Sequence, residues 1–343
     1  MFAPVGNINS FKISNMSQYA VGIDSGGTNI RIGLISDQGE VIQFRKEKNI
    51  GVRQLDFDEF IGHLDQMIQD FLESETVRRY PIAGIGFGCS GQINRNGEIF
   101  GHNREPDFGF KPIPIQSILR DRFHMKVKVI NDSQAAIFGE GKFGVGKGYK
   151  DIVGFTVGTG IGGAVIVDGK ICRGGIGLAG HLGFLIINYP GKMSRAGVPG
   201  VVEDIASGTG ITDIAQQRVK NNPESGAVLL KYSGGLVDQI TCPMVFEAAR
   251  NGDPLANEIV EDCGTALGYA AASMVHAVNP EIIILAGGVA EQGDLLLNPV
   301  RKVIQNQVIW TARNTPVEKA QLGEAAGVIG AAALLFAHEK EYQ

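Results

Sequence analysis

The chain has 343 residues, about twice the length of a typical domain, so two domains with separate cores are expected. Hydrophobic residues make up 44% and charged residues 20%, which excludes extensive disorder. The 31 basic and 36 acidic residues leave a net charge of -5, which argues against nucleic acid or an anionic membrane as the main partner. A small-molecule ligand is therefore the default expectation.

Targeting and redox signals point to the cytoplasm. No apolar run reaches the ~18 residues that a membrane span needs, and residues 1–18 lack the pattern of a signal peptide, so they are interpreted as a flexible tail. The four cysteines show no metal-like spacing. They are predicted to be small buried side chains without disulfides, as in a reducing compartment.

The first elements predict a glycine-tipped β-meander followed by a helix. Strands are expected at 19–24, 30–35 and 41–46, with turns at 25–28 and 37–39. Helical spacing of apolar residues predicts a helix over 56–73, begun by Asp56 and Glu59, which resemble a capping box. An apolar strand is expected at 82–87 and another at 127–130.

The same pattern recurs 131 residues later, which indicates a diverged internal duplication. Strands are predicted at 153–156 and 163–167, separated by a glycine loop and closed by a turn at Asp168. A fully apolar strand is expected at 282–286 and a buried small-residue helix at 264–278. The last helix, 327–339, is expected to pack back on the first domain.

Two glycine-rich segments, 26–29 and 158–163, are candidate phosphate-binding sites, and a third, Gly287-Gly288, is suited to let a base or ribose lie on the backbone. Consecutive glycines allow several backbone amides to point at one anion, and a carboxylate at a strand end can hold Mg²⁺ through water. A plain tight turn is the alternative for each segment. The candidate nucleotide-binding residues are Asp24, Gly26, Gly27, Thr28, Asn29, Gly158, Thr159, Gly160, Gly162, Gly287 and Gly288.

Asn131 and Asp132 end a predicted strand and precede a predicted helix. Asp132 could act as the helix N-cap. Alternatively it is a general base that accepts the proton of an attacking hydroxyl during phosphoryl transfer, with Asn131 beside it on a sugar hydroxyl.

Taken together, these segments resemble the ROK family of sugar kinases and repressors, within the hexokinase/actin ATPase superfamily. The matching motifs are Asp24-x-Gly-Gly-Thr28, Asn131-Asp132, Gly158-Thr-Gly-Ile-Gly-Gly163, Glu203-x-x-Ala-Ser-Gly-Thr209, Ala286-Gly-Gly-Val289 and Leu322-Gly-x-Ala-Ala-Gly327. The resemblance implies a two-lobed α/β fold of the actin-like ATPase (ribonuclease H-like) type, with a duplicated β-sheet core and helices on both faces. The expected small lobe is 19–131 plus 320–343, and the large lobe is 132–319.

The resemblance also implies roles for individual residues. Asp132 is the expected catalytic base, and Asp24 would hold Mg²⁺ through water while the glycine loops hold ATP. The expected sugar contacts are Gly91, Asn103, Asn131, His181 and Glu203. A homodimer is the expected assembly.

Two segments depart from the family pattern. The family's Glu-x-Gly-His reads His181-Leu-Gly-Phe184 here, and its zinc loop Cys-x-Cys-Gly-x-x-Gly-Cys-x-Glu reads 194–203 without any cysteine. No structural zinc is therefore expected, and apolar packing around Val198, Val201 and Val202 would replace it. His181 is either a donor to a sugar hydroxyl or a structural histidine. Gln134 stands where the family usually has Asn.

The resemblance implies an ATP-dependent kinase that phosphorylates a hexose hydroxyl, most simply the 6-hydroxyl of glucose or of a related hexose or N-acetylhexosamine. One alternative is a pseudokinase that binds sugar or nucleotide without turnover, since the residues at 181 and 184 have changed. A sugar-responsive regulator is a further alternative, although only 18 residues precede Tyr19. Polyphosphate could replace ATP as the donor.

Overall fold

Two five-stranded sheets of the same topology form the frame of the protein in a computed structural model, which describes residues 18–27, 29–48, 57–100, 112–194 and 197–337. The strands are β1 Tyr19–Ser25, β2 Asn29–Ser36, β3 Val41–Lys48, β4 Ile82–Cys89, β5 Gln92–Ile93, β6 Ile99–Phe100, β7 Val127–Asn131, β8 Ile152–Val157, β9 Ile161–Val167, β10 Lys170–Ile171, β11 Ile282–Ala286 and β12 Val317–Lys319.

The strand orders confirm the internal duplication. The first sheet runs β3-β2-β1-β4-β7 and the second β10-β9-β8-β11-β12. In each, three consecutive strands pair antiparallel, and two further strands add in parallel beside the first of the three. The carboxyl ends of β1 and β8 therefore occupy equivalent places, and each leads into a glycine loop. A short β5–β6 hairpin stands apart from both sheets.

Ten helices accompany the sheets in the described residues. They are α1 Phe57–Leu72, α2 Ile115–Phe123, α3 Asp132–Phe143, α4 Glu203–Ala206, α5 Gly208–Asn221, α6 Ala227–Tyr232, α7 Cys242–Arg250, α8 Pro254–Val278, α9 Asp294–Gln307 and α10 Ala326–Phe336. The predicted strands and helices all exist, with boundaries shifted by a few residues, apart from α8, which begins ten residues earlier than expected.

The final helix α10 packs on the first sheet, as predicted, because glycines on the sheet leave room for its backbone. A Cβ on Gly22 would lie 2.0 Å from the Val328 carbonyl oxygen, and one on Gly86 would lie 1.8 Å from that of Ala331. Such distances are impossible for any residue with a side chain. The helix itself is almost entirely buried alanine, glycine, valine, isoleucine and leucine.

Helix α3 lies between the two sheets and contacts both. Its Ile137 and Phe138 join α10 and strands of the second sheet in one buried cluster. A second cluster lies beneath α1 and α2 on the other face of the first sheet, and a third joins the second sheet to helices α4, α5 and α7–α9. Both sheets thus carry helices on their two faces, and α3, which begins at Asp132, links them.

One sequence prediction about the cysteines is wrong, and two other predictions fall on residues outside the described ranges. Cys172 is exposed, whereas Cys89, Cys242 and Cys263 are buried and all four are free thiols. Cys172 follows the short edge strand β10, so no layer covers it. Asp56 and the predicted tail up to residue 17 lie outside the described residues.

Candidate active site

Asp24 stands at the carboxyl end of β1 beside the start of α10. Its Oδ2 accepts a hydrogen bond from Arg31 Nη1 at 3.0 Å, and its side chain is only 13% exposed. Burial, reinforced by the charge of Asp132, raises its pKa to about 6 despite the opposing effect of Arg31. A Cβ on Gly327 would lie 2.7 Å from the Asp24 Cγ, so this glycine is required for the carboxylate to sit where it does.

Asp132 is the first residue of α3, and the N-cap is its neighbour Asn131. The Asn131 Oδ1 accepts from the amides of Ser133 at 3.0 Å and Gln134 at 3.2 Å. The alternative in which Asp132 caps the helix is therefore wrong, because β7 runs one residue further than expected and Asn131 occupies the cap. Asp132 Oδ1 accepts from the Ser133 amide at 2.7 Å. Its charge raises the pKa of Asp24 and of Cys89.

The two carboxylates belong to one edge of the first sheet. Asp24 on β1 pairs with Gly88 on β4, and Gly88 pairs with Ile130 on β7, two residues before Asp132. One strand thus separates β1 from β7, which places their ends about 10 Å apart. Cys89, at the end of the intervening strand, is buried, and its thiol pKa is well above its usual value because of that burial and the two carboxylates.

Ser133 attaches the start of α3 to the second sheet. Its Oγ accepts from Thr156 Oγ1 at 2.7 Å, and a Cβ on Gly162 would lie 2.1 Å from that same Oγ. Gly162 therefore permits β9 to approach the residue next to Asp132. This contact brings the carboxylate at the end of the first sheet together with the glycine loop of the second.

The second glycine loop is held by two later segments. The Ile161 amide donates to Glu203 Oε2 at 2.7 Å, and a Cβ on Gly160 would lie 2.6 Å from the same oxygen. The Gly208 amide, in the first turn of α5, donates to the Gly158 carbonyl at 2.8 Å. Glu203, expected as a sugar contact, thus has one of its oxygens committed to the loop.

Only part of each predicted anion nest has amides available. The Gly26 amide donates to the Asn29 carbonyl at 3.1 Å, and the Gly158 amide to Gly160 at 2.9 Å, so both form turns. These two amides are therefore used within their own loops, and the binding role of the two glycines stays a prediction. Within the described part of the chain, the amides of Gly27, Thr159 and Gly160 donate to no protein group.

Open space adjoins three of the predicted glycines. A Cβ built on Gly27, Gly158 or Gly288 would meet no atom within 4 Å. Gly287 has a φ of 93° and lies against Val157 at the root of the second loop, which requires glycine. The loops at the ends of β8 and β11 therefore border each other, and glycines of all three loops adjoin open space that can hold a ligand.

Two of the expected sugar contacts meet beside Asp132. The Nδ2 of Asn131, the residue before Asp132, donates to the Gly91 carbonyl at 3.0 Å. His181 begins a short turn in which its ring lies 6.2 Å, centroid to centroid, from that of Phe184. Burial lowers the pKa of His181, which favours the neutral imidazole. Thr28 and Asn103 lie outside the described residues.

The segment in place of the family's zinc loop is held by backbone hydrogen bonds. The Ser194 amide donates to the Val198 carbonyl at 3.0 Å, and the amide of Val198 donates to Ser194 Oγ at 3.1 Å. Val201 and Val202 are completely buried, which confirms their predicted apolar packing, while Val198 is half-buried. Among the residues with described positions, no group of three potential metal donors occurs.

Several residues of the site had no local sequence signal. Arg31 holds Asp24 from the neighbouring strand, and Thr156 holds Ser133 from the other sheet. The first pairing follows from the register of β1 and β2, and the second from the packing of α3 on β8, rather than from a motif. Gly327 belongs to the last of the family motifs, but Asp24, which it contacts, lies near the other end of the chain.

The two sheets share one topology, and each has a glycine loop at the equivalent strand end. An aspartate begins the helix between the sheets. These features define the actin-like ATPase fold. The ROK family profile matches residues 20–338, and the chain belongs to the ROK family.

Similar proteins carry both activities associated with that family. A glucokinase of Streptomyces coelicolor is 31% identical over 92% of this chain and 96% of its own length. The structure of a ROK family glucokinase from Streptomyces griseus in complex with glucose and AMPPNP is 30% identical, with a TM-score of 0.77, over 92% of this chain and 98% of that one. A xylose repressor of Caldicellulosiruptor bescii is 28% identical over 92% of this chain and 77% of its own length.

Proposed function

We propose that this protein is an ATP-dependent hexose kinase that transfers the γ-phosphoryl group to a sugar hydroxyl, most simply the 6-hydroxyl of glucose or of a related hexose or N-acetylhexosamine. The observation that carries the proposal is the position of Asp132. It lies one strand from Asp24 on the first sheet and is joined through Ser133 to the glycine loop of the second sheet. The similar glucokinases support the same activity.

The site residues fit a nucleotide and its metal ion. Gly27, Gly158 and Gly288 border open space, and the amides of Thr159 and Gly160 are available to phosphate oxygens. Asp24 offers a buried carboxylate of the kind that holds Mg²⁺ through water. When bound, Mg²⁺ would supply neutralisation of charge on the transferring phosphoryl group.

In this mechanism Asp132 accepts the proton of the sugar hydroxyl as the hydroxyl attacks phosphorus. The carboxylate is fixed by the Ser133 amide at 2.7 Å, so it is oriented before the sugar arrives. The loop amides stabilise the charge that develops on the transferring group. His181, whose pKa is lowered, is neutral at pH 7 and can both donate to and accept from sugar hydroxyls.

The pseudokinase alternative is favoured only by the changes at His181 and Phe184. Against it, Asp24 and Asp132 lie close enough to interact electrostatically and Ser133 joins the start of α3 to the second sheet, and positioning and electrostatics are the main requirements of phosphoryl transfer. We therefore favour the active enzyme. The regulator alternative is supported by the xylose repressor, which at 28% identity is less similar to this chain than the glucokinase at 31%.

Further properties belong to the same proposal. We propose that the small lobe is 19–131 with 320–343 and the large lobe 132–319, and the extensive contact between α3 and α10 supports a junction there. We propose a cytoplasmic homodimer that acts on a small sugar and binds no nucleic acid, with ATP rather than polyphosphate as donor and with no structural zinc. In the described part of the chain, no helix is long and apolar enough to cross a membrane.

The test is ADP formation by the purified protein with Mg-ATP and each of glucose, mannose, fructose, allose, N-acetylglucosamine and N-acetylmannosamine. Sugar-dependent turnover, absent from Asp132→Asn, is the expected result. A protein that binds these sugars or ATP without turnover would establish the pseudokinase instead. Polyphosphate in place of ATP tests the donor.

A further inference from the structure

Gln134 connects the helix that carries Asp132 to the segment that carries His181. Its side chain is 2% exposed, and its Nε2 donates to the Ala179 carbonyl at 2.5 Å across 45 residues of sequence. It lies two residues after Asp132 on α3, and Ala179 lies two residues before His181. This hydrogen bond therefore joins a residue two positions from the proposed base to a residue two positions from the proposed sugar-contacting imidazole.

The backbone that Gln134 contacts has little freedom to adjust. Gly180 has a φ of 95°, and a Cβ there would lie 3.0 Å from the Gly163 carbonyl oxygen and 3.4 Å from Gln134 Nε2. A Cβ on Gly183 would lie 2.1 Å from the Ile161 carbonyl oxygen. Residues 179–183 therefore pack tightly between α3 and strand β9, and the Gln134 side chain hydrogen-bonds them to α3.

The length of Gln134 matters for this contact. Asn, the residue usual in the family at this position, is one methylene shorter, and its amide would end about 1.5 Å earlier along the side chain. The other amide atom, Gln134 Oε1, is buried and has no hydrogen-bond partner. A buried unpaired acceptor costs about 1 to 3 kcal/mol, so stability alone does not account for glutamine here.

We propose that Gln134 is a positioning residue for sugar recognition, which fixes His181 relative to Asp132 and thereby sets the affinity for the hexose. This inference rests on the proposed function, since it assigns His181 to the sugar. Gln134 itself does not touch the substrate. Its substitution acts on sugar binding through residues 179–183 and leaves the ATP side of the site, held by Glu203 and Gly208, unchanged.

The test compares Gln134→Met with Gln216→Met. Gln216 also donates its Nε2 to backbone carbonyls, those of Asp238 at 3.2 Å and Ile240 at 2.9 Å, but on α5 away from His181. Gln134→Met loses one glutamine-to-carbonyl contact and Gln216→Met loses two, so both report the general cost of such a loss. Glucose affinity is measured by calorimetry, and the KM values for sugar and ATP by steady-state kinetics.

We expect Gln134→Met to weaken glucose binding about tenfold, as a lost positioning hydrogen bond does, with the KM for ATP within twofold of wild type. Gln216→Met should lower only the thermal midpoint. In a double-mutant cycle with His181→Ala, the effects of Gln134→Met and His181→Ala on glucose affinity should be less than additive. Gln134→Asn provides the milder variant if Gln134→Met does not fold, and it should weaken glucose binding in the same direction.

Unchanged glucose affinity in a folded Gln134 variant overturns the inference, and so does additivity with His181→Ala. These outcomes are separate from failure of the proposed function, which is absence of sugar-dependent turnover by the wild-type protein. An inactive wild type that still binds glucose leaves the calorimetric comparison fully decisive. A wild type that binds no sugar of the panel overturns both.

Discussion

The Glu203 carboxylate accepts a hydrogen bond from the Ile161 amide at 2.7 Å and so holds the glycine loop between β8 and β9. We predict that Glu203→Ala raises the KM for ATP about tenfold, because the loop loses a charge-assisted hydrogen bond. Glu203→Gln keeps an acceptor for the Ile161 amide and should retain most ATP affinity. Steady-state kinetics with ATP varied at saturating sugar measures this, and equal losses in the two variants would contradict the assignment.

Asp132→Asn should lower kcat by about 10³-fold, within the range expected for loss of a general base. The amide keeps an oxygen for the Ser133 amide, so the start of α3 should keep its geometry. Glucose affinity is expected to stay within threefold of wild type. Calorimetry and single-turnover kinetics check both values, and an Asp132→Asn enzyme with near-normal kcat would sink the role of Asp132 as base.

Asp24→Asn should raise the stability of the protein at neutral pH and lower its activity. The pKa of Asp24 in the folded protein is about 6, above its ordinary value of 3.8, so folding favours the protonated carboxyl. Its contribution to stability is largest below pH 3.8 and falls as pH rises toward 6. At pH 7.5 without Mg²⁺, the free energy of unfolding of Asp24→Asn should exceed that of wild type by about 1 to 3 kcal/mol. Loss of the Arg31 contact reduces this gain.

Urea unfolding at pH 4.5 and pH 7.5 measures this difference, which should be larger at the higher pH. Activity of the same variant should be strongly reduced, since Asp24 is the proposed metal-binding carboxylate. A variant with equal stability change at the two pH values would show that Asp24 ionises normally in the folded protein.

His181 should make the folded protein less stable in acid. Burial lowers its pKa below the ordinary value of 6.5, so the unfolded chain binds the proton more readily. The stability contribution is fully present above pH 6.5 and is lost as pH falls below it. His181→Gln should therefore reduce the difference in the free energy of unfolding between pH 7.5 and pH 5.5. The exposed His124→Asn serves as the control for removal of an imidazole and should not reproduce the effect.

Two glycines of the second loop should respond differently to alanine. A Cβ at Gly158 meets no atom within 4 Å, whereas at Gly162 it would lie 2.1 Å from Ser133 Oγ. Gly158→Ala should keep the thermal midpoint within about 2 °C and raise the KM for ATP, because the methyl group enters the space proposed for phosphate. Gly162→Ala should lower the midpoint by several degrees, as overpacking costs about 1 to 3 kcal/mol. Thermal unfolding and ATP kinetics of both variants decide the matter; equal midpoints would contradict it.

The sequence allowed the sheets and loops to be predicted because their signals are local. Alternating and continuous apolar runs marked the strands, and strand β11 has the predicted boundaries, 282–286. The assignment of the N-cap failed because Asn131 and Asp132 are both good capping residues, and the choice depends on how far β7 pairs with β4. The partners of Glu203 and Gln134 lie more than 40 residues away, and no local pattern encodes them.

Helices α3 and α10 approach so closely that their backbones touch. A Cβ on Gly330 would lie 1.7 Å from the Ala135 carbonyl oxygen, and one on Gly139 would lie 2.8 Å from that of Ala326. Such a contact resists sliding, so a relative movement of the two sheets that preserves it is a rotation about the crossing point. Asp132 lies three residues, about one helical turn, from Ala135 and so lies close to that crossing point. The proposed base would therefore move little in such a rotation.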